Sequence, residues 1–126
     1  VLRIAIPSSL RRADFVLVTY PPLGQIVKRI VALPGERITI AGNVIRIDGS
    51  VLGEPYATWG SFREGKAIDC ALRLDDYFVL GDNRSMSTDS RHFGPVPRHR
   101  IRGRAVLRIW PRARICILRR AKRAAR

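Results

Sequence analysis

Apolar and polar positions alternate along much of this chain, and the alternating runs are rich in Val and Ile. Residues 15–18, 26–31, 37–40, 43–47, 77–80, 101–110 and 113–118 each read as a β-strand. Turn formers separate them at 20–24, 34–36, 41–43 and 48–50. The Asp48-Gly49 pair, set between Val44-Ile45-Arg46-Ile47 and Val51-Leu52, predicts a two-residue hairpin, because both of its central residues tolerate positive φ. No stretch carries a helical period except 118–126, which has helix formers but no apolar face. The pattern predicts one mainly β, antiparallel domain over 1–126. A small lobe is inserted at about 41–76, with 57–66 as a loop inside it, and a basic tail occupies about 118–126.

In the strand at 26–31 the period of two puts Lys28 on one face with Ile26, Ile30 and Ala32. Val27, Arg29, Val31 and Leu33 fall on the other. A lysine in an apolar row is desolvated, its ammonium is disfavoured, and its pKa falls towards the range where it can accept a proton. The other reading is a lysine that lays its stem along the strand and keeps its head in water.

Behind the apolar run Tyr77-Phe78-Val79-Leu80 comes a different kind of segment. Residues 81–94 hold ten polar side chains and two glycines. A turn needs one or two such residues for its backbone angles. Two carboxylates, two guanidinium groups and several hydroxyls in one loop can satisfy one another, and a self-paired network of that kind holds a reactive group in place.

Composition narrows the functional classes. The 126 residues are 46% hydrophobic, enough for a real core, and no apolar run approaches the roughly 20 residues that a membrane-spanning helix needs. The net charge of +14 comes from 24 Lys and Arg against 10 Asp and Glu, and only Lys28, Lys66 and Lys122 are lysines. Residues 98–126 contain no acid and half of the 24 cations. Such a run suits nucleic acid or an anionic membrane surface. The scarcity of aromatics, Trp110 alone, favours the membrane, and no nucleic-acid partner is expected. Cys70 and Cys116 fit no metal or redox spacing, and whether they are bridged stays open.

Two segments carry a family resemblance. Gly81-Asp82-Asn83-Arg84 with Ser87, Asp89, Ser90 and Arg91 resembles the G-D-N-R-x-x-S-x-D-S-R box of type I signal peptidases. Lys28-Arg29-Ile30-Val31-Ala32-Leu33-Pro34-Gly35-Glu36 resembles that family's lysine box, with Ala32 and Glu36 in place of the usual glycine and aspartate. Arg12-Ala13-Asp14 resembles its Arg-Gly-Asp, Gly53-Glu54-Pro55-Tyr56 its Glu-Pro-Tyr, and Gly103-Arg104-Ala105 through Trp110-Pro111 its closing strand.

The resemblance implies an antiparallel β catalytic core and a serine/lysine dyad that removes signal peptides from exported preproteins. Lys28 would be the general base and Ser87 the hydroxyl that orients it. Asp82 would pair with Arg29 and Asp89 with Arg91, while Arg84 and Ser90 would support the loop. Gln25, Ile26 and Val27 would be the edge along which the signal peptide lies. The nucleophilic serine matches nothing in the chain and is expected just ahead of Val1, with the membrane anchor. No metal or cofactor is implied. The implied location is the cell membrane, with the catalytic domain on its extracytoplasmic face.

Other readings stay open on the residues alone. Ser8 and Ser9 form either a polar turn or a substitute nucleophile, and His92 or His99 would serve a Ser-His arrangement. A conjugation-pilus maturation peptidase, a self-cleaving repressor, or a non-enzymatic basic β module for lipid or nucleic acid would share much of the pattern.

Overall fold

Val16 and Val18 are buried while Phe15 and Leu17 are half-exposed, so β2 (Phe15–Tyr20) turns one row of side chains inward as its alternation predicts. The computed structural model describes residues 2–5, 9–60 and 65–107. The expected strand at 113–118, the tail at 118–126 and Cys116 lie outside them.

The strands are β1 (Leu2–Ala5), β2, β3 (Gly24–Ala32), β4 (Arg37–Ala41), β5 (Val44–Ile47), β6 (Ser50–Val51), β7 (Ile68–Ala71), β8 (Asp76–Leu80), β9 (Val96–Pro97) and β10 (Ile101–Leu107). They form a six-stranded sheet in the order β1-β10-β2-β3-β8-β9 and a four-stranded sheet in the order β6-β5-β4-β7. Each strand pairing within the two sheets is antiparallel, the expected fold class. The second sheet takes in β4, which begins at Arg37. Asp48 and Gly49 have φ of 49° and 87° and join β5 to β6, the positive-φ pair that a two-residue hairpin demands.

Two apolar clusters hold the sheets. One gathers Val16, Val18, Ile30, Val79 and Ile101 on one face of the large sheet. The other gathers Phe78 and Leu80 with Ile38, Ile40, Ile45 and Ile47, and fastens the small sheet to the large one. Burying each of these isoleucines contributes roughly 1.5–3 kcal/mol.

Between them β3 changes face. Ile30 pairs with Val79 but Ala32 pairs with Phe78, so the ladder slips by one residue at Val31. Ala32 therefore packs in the small-sheet cluster and Leu33 in the other, opposite to the strict period of two. Lys28, Ile26 and Ile30 lie before the bulge and keep their shared face. One helical turn, α1 (Ser90–Phe93), also escapes the sequence pattern, since four residues are too few to show a period.

Candidate active site

Lys28 stands on β3, opposite Val16 of β2 and two residues from the buried Ile30. Its ammonium donates to Ser87 Oγ over 2.9 Å. Burial is the largest influence on the amine and lowers its pKa; Asp89 acts against this and Arg91 adds to it, and the net direction is down.

Ser87 Oγ in turn donates to Asp89 Oδ2 over 2.8 Å. Asp89 is fully buried and serves as the N-cap of α1, with its side chain accepting from the Arg91 amide and His92 Nδ1 accepting from the Asp89 amide. Its carboxylate also accepts from the Gly81 amide at 3.1 Å and from Arg91 Nε and Nη2, both at 2.9 Å. Burial alone would raise this carboxyl's pKa, but the bonds from Arg91, Ser87 and Gly81 outweigh it and hold it below the usual range. Ser90 Oγ accepts from the Val79 amide at 3.0 Å and ties α1 to β8. Lys28 is thus the end of a chain of bonds rooted in a buried anion.

The neighbouring Arg29 points to the opposite face. It binds Asp82 through two bonds of 2.9 and 2.6 Å, donates to the Ala13 carbonyl, and lies against the rings of Phe15 and Tyr56. Arg84 has no exposed side-chain surface. It makes a bidentate pair with Glu54 at 2.7 and 2.9 Å and donates to the Gly81 carbonyl at 2.6 Å.

Glu54 belongs to a strap, residues 54–60, whose second half falls in the loop expected at 57–66. The Thr58 amide donates to the Asp82 carbonyl and the Arg84 amide to the Thr58 carbonyl, at 2.9 and 2.8 Å. Tyr56 donates to Glu54, and burial, with Glu54 beside it, pushes its hydroxyl above the usual range. The roles of Glu54 and Thr58 in bracing the loop had no local signal, because their partners lie about 25 to 30 residues away. In the sequence Gly81 is simply the first residue of a motif. A Cβ there would collide with Ser87 Oγ and Cβ and lie 3.3 Å from Lys28 Nζ, so the close approach of loop to strand requires glycine.

Gln25, Ile26 and Val27 pair with Thr19, Val18 and Leu17 of β2 on one side. On the other side the ladder to β8 begins only at Arg29, so these residues present an open edge among the described strands. Ser9 is exposed, Ser8 lies outside the described residues, and His99 is an exposed residue of a 3₁₀ turn at Arg98–Arg100. None of the described hydrogen bonds brings Ser9 or His99 to Lys28, and His92 reaches Asp89 only as part of the helix cap. Among the described residues no group of His, Cys, Asp and Glu is placed to hold a metal ion, and no helix is long and apolar enough to cross a membrane. Cys70 is half-buried and makes no disulfide among the described residues, which do not include Cys116.

Comparison with known proteins gives a consistent picture. Residues 3–110 match the family model described as signal peptidase, peptidase S26. Signal peptidase I of Leptolyngbya laminosa is 40% identical over 91 residues, which are 68% of this chain and 41% of that protein. Signal peptidase I of Bacillus caldolyticus is 33% identical over 117 residues, which are 81% of this chain and 63% of that protein. The crystal structure of a signal peptidase I from Enterococcus faecalis V583 superposes with a TM-score of 0.66 at 28% identity, covering 79% of this chain and 98% of that one. The chain spans about two fifths of the length of the first of these relatives.

Proposed function

The chain belongs to the signal peptidase S26 family, and we propose that it is the catalytic part of a serine endopeptidase that removes N-terminal signal peptides from exported preproteins. Lys28 is the general base. Burial lowers its pKa and so favours the amine that takes the proton of a serine hydroxyl as that oxygen attacks the scissile carbonyl, and the proton then goes to the leaving amine. Water then releases the acyl group by the same route.

The observation that carries this reading is the 2.9 Å bond between Lys28 Nζ and Ser87 Oγ on a strand with an open edge. Ser87 orients the amine and is not the nucleophile, because its own proton is directed to Asp89. The attacking serine is assigned, from the family resemblance, to a segment ahead of Val1. The signal peptide adds as a strand beside Gln25, Ile26 and Val27 and so brings its cleavage site to Lys28. Asp82, Arg84, Asp89, Ser90 and Arg91 keep the loop in place, with Arg29 clamping Asp82. The reaction as written requires no metal or organic cofactor. The enzyme works at the cell membrane with this domain on the extracytoplasmic face. The basic end supplies attraction to anionic headgroups, worth about 1 kcal/mol per cation near the surface.

The test uses protein extended by the residues its gene encodes ahead of Val1, incubated with a preprotein. Cleavage at the signal-peptide junction is expected, and Lys28→Ala is expected to remove it. Equal rates in the two proteins would overturn the assignment of Lys28.

A further inference from the structure

A cleft of about 220 Å³ lies between the small sheet and the loop that carries Ser87. Its floor is Ile40 of β4 and Ile68 of β7, and Gly42 and Gly65 leave its rim low. It is smaller than a typical cofactor pocket, so it suits a side chain rather than a whole ligand. Ser87 lines it and also holds Lys28, which makes the cleft continuous with the candidate active site. No residue of β3 lines it, so it is separate from the open edge at Gln25, Ile26 and Val27.

Among the described residues the cleft carries a surplus of one positive charge. Lys66, Arg84 and Arg91 line it, and among the described residues no carboxylate does. Both arginines are neutralised by ion pairs with the buried Glu54 and Asp89, and their side chains are only 0% and 9% exposed, which leaves Lys66 as the exposed cation of the described lining. His92 lines it as well. Its Nδ1 accepts from the Asp89 amide, which in the neutral ring leaves the proton on Nε2 as a donor. Ser85 adds a hydroxyl.

We propose that this cleft is a specificity subsite for the leaving side of the substrate, and that it selects an acidic side chain shortly after the scissile bond. The inference rests on the signal-peptidase reading for the identity of its occupant. Ser87 both holds Lys28 and lines the cleft, so a substrate cleaved at Lys28 has this cleft beside its scissile bond. A carboxylate there gains donors from Lys66 and His92, and a lysine there meets the like charge of Lys66.

Two measurements test it, and they fail differently. In the first, amide NMR shifts of the 126-residue chain are followed on adding Ala-Glu-Ala or Ala-Lys-Ala. The acidic peptide is expected to move Lys66, Ser85 and His92, with an effect that shrinks as salt rises, and Lys66→Glu is expected to remove the response. Equal responses to both peptides, or none to either, would overturn the subsite. In the second, protein including the residues encoded ahead of Val1 cleaves two preprotein peptides that differ only by Glu or Lys after the junction. A ratio of kcat/KM of about two- to fivefold in favour of Glu is expected, as for a partly exposed ion pair, with Lys66→Glu inverting it. Cleavage of both at one rate sinks the subsite and leaves the peptidase reading standing. Cleavage of neither, with the NMR response intact, removes the peptidase reading and leaves an anion-binding cleft.

Discussion

Gly81 and Ser87 approach so closely that a single methyl group on residue 81 would occupy the space of the Ser87 hydroxyl. The Gly81 amide also donates to Asp89, so the residue both admits Ser87 and anchors the carboxylate behind it. Gly81→Ala is therefore expected to push Ser87 away from Lys28. A displacement of about 1 Å at a positioned group costs on the order of 10²-fold in rate, and overpacking costs about 1–3 kcal/mol of stability. Turnover and a denaturant midpoint measured on the same variant check both. A rate within twofold of the parent would mean that the Lys28–Ser87 bond does not position the base.

Lys28 gives a prediction with opposite signs for activity and stability. Its pKa is lowered, chiefly by burial, so kcat/KM should rise with pH through a value below lysine's usual range near about 10.4 and then level off. Asp89 pulls that pKa upward, so Asp89→Asn should move the rising limb to lower pH even as the maximal rate drops. For stability, the unfolded chain binds more protons than the folded one between the folded and unfolded pKa values of Lys28. Its contribution therefore rises with pH across that window, and below the folded value the buried ammonium is a full cost. Lys28→Met should abolish cleavage yet stabilise the fold at neutral pH, by no more than about 1 kcal/mol because the side chain is only half-buried. Urea titration at neutral pH is the measurement, and a less stable variant would contradict the desolvation argument.

The Glu54–Arg84 pair is the joint between strap and loop. Glu54→Ala leaves a guanidinium with no exposed surface and no counter-ion, an arrangement that costs about 3–5 kcal/mol. Replacing both residues with Met should recover most of that, since an apolar pair needs no desolvation of charge. A double variant as unstable as the single one would show that the strap is held elsewhere. In either variant cleavage is expected to fall more than binding, because the loop that carries Ser87 is anchored at Thr58 and Glu54.

How far the sequence discloses this arrangement depends on the range of each interaction. The strands around Val16 and Ile38 and the Asp48-Gly49 hairpin are local matters of period and backbone angle, and they were legible. Lys28 and Ser87 stood out through their motifs, although a sequence separation of 59 hides their contact from any local rule. The slip at Val31 was not legible, because one extra residue on a strand leaves no mark in composition. Neither was β7, where Ile68-Asp69-Cys70-Ala71 is too short a run to separate from loop. Ala13 shows a middle case: it takes φ of 74° at the place where the resembling motif has glycine, a left-handed position that alanine itself does not announce.

The basic end supplies the last prediction, since it separates a membrane enzyme from a nucleic-acid module. Residues 98–126 carry half of the chain's cations and no acid. Deleting residues 118–126 should weaken binding to vesicles containing anionic lipid. The loss should shrink as salt rises, because the attraction acts within a Debye length of about 10 Å at 0.1 M ionic strength. Cleavage of a peptide substrate in detergent should barely change, as Lys28, Ser87 and Asp89 lie in the described sheet and loop far from that end in sequence. A nucleic-acid module would instead bind DNA with a steep salt dependence and keep it in the presence of those vesicles. Offering the protein labelled DNA and anionic vesicles together, at one salt concentration, decides between them: retention on the vesicles is expected, and retention on DNA would reject the membrane assignment of the basic end.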